Sequence, residues 1–496
     1  MKSDVCLLLE GSFPYTSGGV AAWVNNLIRH MPDTSFSAVY IGPYSYMNKR
    51  MHYEIPHNVV DFREYYLFDF SFKKQRKGTL GKEVFERIEK LVMSIRAGDP
   101  SQFNKLINFF GDDVERIPDM HDMIFSYDMW KVLLDVYGTE MSEQSFIDYF
   151  WTWRSIYMPF FNLLRWTLPP AKMYHSISTG YAGVIGSIAK LRTKKPFILT
   201  EHGIYSRERK IEIMHNELIY SDSAGEAKVT EEQEFFKDWW IKVFSFLCKV
   251  AYNNADSVVT LFEKNRLLQV EEGAEASKTM IISNGIEVEK FRQIVRTPHE
   301  GVHKIGFVGR VVPIKDVKTY IKACKGITHD LSNCEFYIIG PTDEDEDYYQ
   351  ECISLVDNEG MQDSIRFTGK VDVREYYKDL DIIVLTSISE AQPLVILEAG
   401  ACGIPVVSTD VGSCRELLYG GTPDDKLLGK SGLVTPVCSS ESTARAVVAI
   451  LKDKGMWNLM AENGKRRVDK YYQIYTEVAS YEHLYSRYKE VVEWLE

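Results

Sequence analysis

A chain of 496 residues, 45% hydrophobic and 26% charged, holds enough apolar material for two large α/β cores or three ordinary ones, and its 32 Gly and 17 Pro exclude a collagen-like or largely disordered protein. A formal net charge of -12 argues against a dedicated nucleic-acid binder, whose footprint is a basic stripe, and leaves room for a local basic site for phosphates. Eight scattered cysteines without a C-x-x-C pair fit neither a disulfide framework nor a zinc site, and no stretch reaches the ~18 apolar residues of a membrane span, so the expected setting is the reducing cytosol.

In chain order, the apolar run 5–9 reads as a strand that passes through Glu10-Gly11-Ser12-Phe13-Pro14 and Gly18-Gly19 into a helical pattern carried by Val20, Val24, Leu27 and Ile28. Residues 64–170 break the alternation of strand and helix. They read as helices over 82–96, 101–110, 121–136 and 143–166, the last with Phe146, Tyr149, Phe150, Trp153, Ile156, Tyr157, Phe160, Phe161 and Leu164 on one face and a kink expected at Pro159. Alternation resumes with a strand at 172–177, a helix at 181–191, strands at 197–200 and 257–262, and a helix at 263–272. After Pro298-His299-Glu300-Gly301, the expected linker, strands follow at 304–308, 335–339, 364–368, 382–386 and 405–408. Such alternation predicts parallel sheets. The reading is α/β: two Rossmann-like doubly wound domains facing a cleft, 1–297 with a helical insertion at about 64–170, and 298–470, with helix 471–496 returning to the first.

Four places carry candidate chemistry. In Ser389-Glu390-Ala391-Gln392-Pro393-Leu394-Val395-Ile396-Leu397-Glu398, the strand before the segment delivers Glu390 to a loop at its C-terminal end, where open α/β sheets bind ligands, and Glu398 falls in the following helix. Carboxylates accept paired hydrogen bonds from vicinal hydroxyls, so two of them suit a ligand with diols at two places, such as a ribose and a hexose. In Phe307-Val308-Gly309-Arg310-Val311-Val312-Pro313-Ile314-Lys315-Asp316, Arg310 and Lys315 stand five apart across a turn and are expected to converge on one diphosphate. Gly18 and Gly19 let the backbone approach a ligand at a helix start. His202, in Thr200-Glu201-His202-Gly203, also follows a strand.

The segment from Glu390 to Glu398 resembles the E-x7-E motif of the retaining glycosyltransferases of family 4, which have the two-domain GT-B fold. The resemblance implies that Glu390 holds the donor hexose hydroxyls and Glu398 the nucleoside ribose, and extends donor contact to Pro393, Leu394 and Val395. It implies that Arg310 and Lys315 stabilise the leaving diphosphate, that Gly18 and Gly19 lie beside the donor phosphate and the acceptor, and that His202 lies near the donor hydroxymethyl group. Ala391 stands where the family usually has glycine. Asn284-Gly285-Ile286 resembles the family's segment before the interdomain linker, and also reads as an ordinary turn after a strand. Asp379-Leu380-Asp381 and the acidic run 343–347 imitate a D-x-D metal motif; one precedes a strand and the other reads as a solvated loop, and no catalytic metal or other cofactor is expected. The implied substrates are a UDP-sugar and a glycan acceptor. The opening loop, the block 18–24, the insertion and 200–203 are most similar to cytosolic members that build exopolysaccharide beside membrane export partners. A glycan phosphorylase, a UDP-sugar 2-epimerase and a non-catalytic nucleotide-sugar sensor remain as alternatives of the same fold.

Overall fold

The computed structural model describes all residues except 1, 17, 48–49, 76–78, 141–142, 216–230, 297–300 and 496; the expected linker lies, up to Glu300, outside the described residues. The chain forms two compact units, one of Met1–Thr260, Arg266–Met280 and Tyr481–Glu496, the other of Leu261–Asn265 and Ile281–Ser480. The second unit therefore takes residues on both sides of 297, and the C-terminal segment is shared: Tyr471 to Ser480 go with the second unit.

The first unit is built on strands β1 (Ser3–Glu10), β2 (Phe36–Gly42), β3 (Val59–Tyr66), β4 (Ala171–Ser176), β5 (Phe197–Glu201), β6 (Ser257–Thr260) and β7 (Thr279–Ile281), in the order β3-β2-β1-β4-β5-β6-β7. β1 runs parallel to both neighbours, Val5 opposite Phe36 and Met173. Its residues Val5 to Leu9 are wholly buried, as a strand covered on both faces requires. β2 and β3 were not evident in the sequence. β3 carries Asp61, Arg63 and Glu64 and closes one edge of the sheet, and charges on an edge strand hide it from an apolar pattern. Glu64 to Tyr66 thus end a strand, and the helical stretch begins after them.

That stretch fills the crossover from β3 to β4 with helices Lys82–Ala97, Phe103–Phe110, Met120–Phe125, Tyr127–Glu140 and Phe146–Leu164. The last runs on through Pro159. Tyr149, Trp153, Tyr157, Phe160 and Phe161 are all at most 2% exposed, and Tyr149 stacks on Trp239 at 5.7 Å. Trp239 belongs to helix Glu231–Asn254, so most of the aromatic face is core. The C-terminal helix Ile474–Leu495 fastens to this unit's strands through hydroxyls: Tyr485 to His175 Nδ1 at 2.7 Å, Tyr481 to Thr200 at 3.1 Å and Tyr488 to Ser257 at 2.7 Å.

The second unit has β8 (His303–Val308), β9 (Cys334–Ile339), β10 (Ile365–Gly369), β11 (Ile382–Leu385), β12 (Val406–Thr409) and β13 (Gly432–Thr435), all parallel, in the order β10-β9-β8-β11-β12-β13. The order reverses between β8 and β11. Loops leaving those two strands therefore splay to opposite sides and leave a crevice at their carboxyl ends.

Candidate functional site

The two loops at that crevice are those of Arg310 and Glu390. Beyond β8, Gly309 donates its N–H to Ile339 O at 2.9 Å, and Gly340 (φ +150°) passes so close that a Cβ there would lie 2.1 Å from Gly309 O. Pro313–Lys315 makes a single 3-10 turn, and Asp316, at φ +46°, caps helix Val317–Asp330 by accepting from Thr319 N at 3.2 Å. Beyond β11, Thr386 Oγ1 donates to Asp316 O at 2.8 Å, Ile388 N to Ile314 O at 2.9 Å, and Thr409 Oγ1 to Ser387 O at 2.6 Å. Gly412 (φ +51°) sits against the same loop, where a Cβ would meet Glu390 O at 2.1 Å. Neither Gly340 nor Gly412 can be exchanged without moving a loop, and the sequence marked neither, because the reason lies in another segment's backbone.

These ties aim Lys315 Nζ at Glu390 Oε1, which also accepts from Ser387 Oγ at 2.7 Å. The two side chains are only 20% and 12% exposed. Arg310 does not join them: it pairs with Glu344 at 2.6 Å, both half exposed. Each of the two cations thus has its own acid, and they do not meet one another here. The run 343–347 is not merely a solvated loop; Glu344 holds Arg310, and Asp345 caps helix Glu346–Asn358 by accepting from Tyr348 N at 3.0 Å.

Helix Leu394–Cys402 starts at Pro393 without a side-chain cap, which leaves first-turn N–H groups such as those of Leu394 and Val395 for an outside acceptor. One turn on, Glu398 accepts a hydrogen bond from the Tyr377 hydroxyl at 2.6 Å; burial pushes its carboxyl above the ordinary range, and the tyrosine bond works against that shift. Tyr377, itself fully buried, was not found from the sequence, since it lies on a separate short helix. Gln392 and Asn284 exchange backbone–side-chain bonds at 2.9 and 3.2 Å, so the Asn284-Gly285 segment braces the Glu390 loop as well as forming a turn.

In the first unit, Gly18 caps helix Gly19–His30 in an extended conformation, and a Cβ at either glycine would meet no atom within 4 Å. Trp23, one turn into that helix, lies edge-on to His202 with centroids 4.9 Å apart, so the helix that follows the glycines and the histidine after β5 are neighbours. Burial lowers the His202 imidazole to about 4, which keeps it neutral at ordinary pH. Two carboxylates the sequence analysis passed over complete this end of the sheet. Glu10 accepts from Ala182 N at 3.1 Å and Tyr205 Oη at 3.2 Å, and Glu201 from Tyr252 Oη at 2.6 Å, Thr179 Oγ1 at 2.9 Å, Tyr205 N at 3.0 Å and Gln269 at 3.1 Å. Burial raises both. Each is the last residue of an apolar strand, the one signal that could have found them. Among the described residues, the acids and histidine that could share a metal are Asp119, His121 and Asp122 in the insertion, where the two aspartates cap each other's N–H at a helix start.

Residues 3–277 match the family described as a domain of unknown function (DUF3492), and residues 302–453 the family described as glycosyl transferases group 1. The chain is similar to the capsular polysaccharide biosynthesis glycosyltransferase CapM of Staphylococcus aureus, with 23% identity over 305 residues, 59% of this chain and 70% of the relative. It is 24% identical to the D-inositol 3-phosphate glycosyltransferase of Geodermatophilus obscurus over 320 residues, 60% of this chain and 65%, under two thirds, of that relative. Among solved structures it is similar to Anabaena Alr3699/HepE in complex with UDP (TM-score 0.60, 14% identity, 98% of this chain and 100% of that one) and to sucrose-phosphate synthase of Thermosynechococcus elongatus (TM-score 0.58, 15%, 98% and 99%). The latter two likenesses show the fold, which is GT-B. No helix among the described residues is long and apolar enough to cross a membrane.

Proposed function

We propose, for a chain that belongs to the DUF3492 family over residues 3–277 and to the group 1 glycosyl transferases over residues 302–453, that it is a retaining enzyme moving a hexose or N-acetylhexosamine from a UDP-sugar to a growing polysaccharide. The observation that carries the reading is the enclosed Lys315–Glu390 pair at the point where the strand order reverses. It places an ammonium and a carboxylate side by side, one for a departing phosphate and one for sugar hydroxyls. The uncapped helix start at Pro393, Leu394 and Val395 adds donors for the same anion, and Glu398, held by Tyr377, takes the ribose. In transfer, the bond from the anomeric carbon to the diphosphate oxygen breaks, an acceptor hydroxyl oxygen bonds that carbon on the same face, and the acceptor's proton passes to the diphosphate. Gly18, Gly19 and His202 serve the acceptor and the donor hydroxymethyl group.

Arg310 and Lys315 supply the positive charge in this reading, and activity is expected to survive chelators; loss in EDTA, restored by Mg²⁺ or Mn²⁺, would overturn that part. The donor assignment draws on the UDP bound in the Anabaena structure. The blocks 10–15, 18–24 and 200–203, with the insertion, resemble the glycosyltransferase of the Pel exopolysaccharide system of biofilms, and the polymer we propose is Pel, made in the cytoplasm beside membrane export proteins. Of the last insertion helix, Ile147 and Trp151 remain exposed and are the residues to exchange when testing co-purification of such a partner. A panel of UDP-, GDP- and ADP-sugars, with and without glycan acceptor, tests the whole. Acceptor-dependent UDP release with the anomeric configuration kept is expected; a free epimer formed without acceptor would refute transfer.

A further inference from the structure

A cavity of about 440 Å³ opens in the second unit at the C-terminal end of helix Leu394–Cys402, the end away from Pro393. Arg292 and Arg296 wall one side, and Glu462, Lys465, Arg466 and Asp469 of helix Lys454–Tyr471 the other. Four cations and two carboxylates line it; Glu289 and Asp381, outside the lining, offset Arg292 and Arg296, which leaves Lys465 and Arg466 as the cations open to a ligand.

The cations are unequally engaged. Arg292 pairs with Glu289 at 2.7 Å and with Asp469. Arg296 pairs through one arm with Asp381 at 3.1 Å and lies over the Trp457 ring at 4.8 Å; its Nη1 is buried and has no partner among the described residues. Lys465 and Arg466 are exposed and form no ion pair among the described residues. Complementing the dipole of the helix end would explain one cation, and Lys465 fills that place: a Cβ at Gly403, just past the helix, would lie 2.3 Å from Lys465 Cε. It does not explain two further guanidiniums around an open volume of small-ligand size.

We propose that this cavity binds a polyvalent phosphate anion, a pyrophosphate or phosphorylated small molecule distinct from the sugar donor, through Lys465 and Arg466, with Arg296 behind them in the wall. Guanidinium forks match phosphate oxygens in pairs, and the ammonium adds a point charge. Cys402 is four residues, or about 6 Å of helix rise, beyond Glu398. The anion would therefore rest on the element that carries a donor carboxylate, and the site stands whether or not the donor assignment does.

The test is calorimetric titration of the full chain with inorganic pyrophosphate, with UDP in excess to occupy the Glu390 loops, in the unaltered protein and in two variants. In Lys465→Ala/Arg466→Ala, binding is expected to weaken by about tenfold or more; in Lys315→Ala it should stay within about twofold, with the unaltered protein binding saturably below about 1 mM. Both exchanged residues are exposed on a helix that tolerates alanine, and Lys465→Gln/Arg466→Gln repeats the test with longer side chains. Pyrophosphate binding lost in Lys315→Ala but kept in the double variants would assign it to the Glu390 loops and overturn the proposal, as would the absence of saturable binding.

Discussion

Removing the Lys315 ammonium separates two consequences that a single activity assay would confuse. The pair it forms with Glu390 is 20% and 12% exposed, between a surface pair, worth ~0–1 kcal/mol, and a fully buried one, whose breakage costs ~3–5 kcal/mol. With only Ser387 Oγ still on that carboxylate oxygen, Lys315→Ala should cost about 2 kcal/mol of stability by interpolation between those limits. If Lys315 also carries charge on the departing diphosphate, turnover should fall by a further ~10²–10³, or ~2.7–4 kcal/mol. Lys315→Met/Glu390→Gln removes both charges, so it should recover stability to within ~1 kcal/mol of the unaltered chain while turnover stays lost. Urea unfolding and UDP release, measured on the same preparations, read the two effects. Turnover of folded Lys315→Ala within about tenfold of the unaltered enzyme would refute the role given to the lysine.

Tyr377→Phe takes from Glu398 its 2.6 Å donor and should weaken UDP-sugar binding by about tenfold, ~1–1.5 kcal/mol, with little change in kcat; KM and kcat measured together check it. Gly412→Ala forces a Cβ to within 2.1 Å of Glu390 O at φ +51°, so turnover should collapse although unfolding shifts by only ~1–3 kcal/mol; an active variant would show that the loop is free to move. His175 and His202 are lowered by burial to about 3 and about 4, the first also by the charge of the second. Both folded values lie below the ordinary value of 6.5, so the unfolded chain binds more protons in between. Their contribution to stability should be full above about pH 6.5 and fall toward pH 4 with a slope approaching ~2.7 kcal/mol per unit, opposed by Glu10, Glu201 and Glu398, whose raised carboxyls bind protons first in the folded chain; a pH slope of the urea midpoints unchanged by His202→Asn would contradict it.

The second unit was largely legible because each of its first five strands is a short apolar run followed by a loop and helix, and the motif of Glu390 and Glu398 lies in one such unit. β13 escaped, since Gly432-Leu433-Val434-Thr435 is too short to show a period. In the first unit β1, β4, β5 and β6 were readable from apolar runs, whereas β3 was masked by its edge charges. Helix Glu231–Asn254, which receives the insertion's aromatic face, went unread as well. Among candidate site residues, the sequence names those on motifs and not those that hold motifs in place. Tyr377 is 21 residues from the carboxylate it supports, and Gly340 and Gly412 are needed because each has a positive φ and a loop from another strand passes it.

The separate pairing of Arg310 with Glu344 has the same origin. Arg310 and Lys315 share one loop, yet their acids lie 34 and 75 residues away, on loops after β9 and β11, so local spacing could not decide where either points. The Arg310–Glu344 pair is about half exposed and worth under ~1 kcal/mol, so an arriving diphosphate can replace Glu344 at little cost. The Lys315–Glu390 pair is enclosed, and its carboxylate is tied to Ser387; an ammonium has three donors and can take a phosphate oxygen without leaving that carboxylate. On the function proposed above, Lys315 would be the fixed point of the donor loops and Arg310 the arm that swings. Weakening the latch with Glu344→Gln should tighten UDP binding by up to about fivefold, the reach of ~1 kcal/mol, and leave stability nearly unchanged. Weaker UDP binding in that variant would mean that Glu344 positions Arg310 for the diphosphate instead of competing with it.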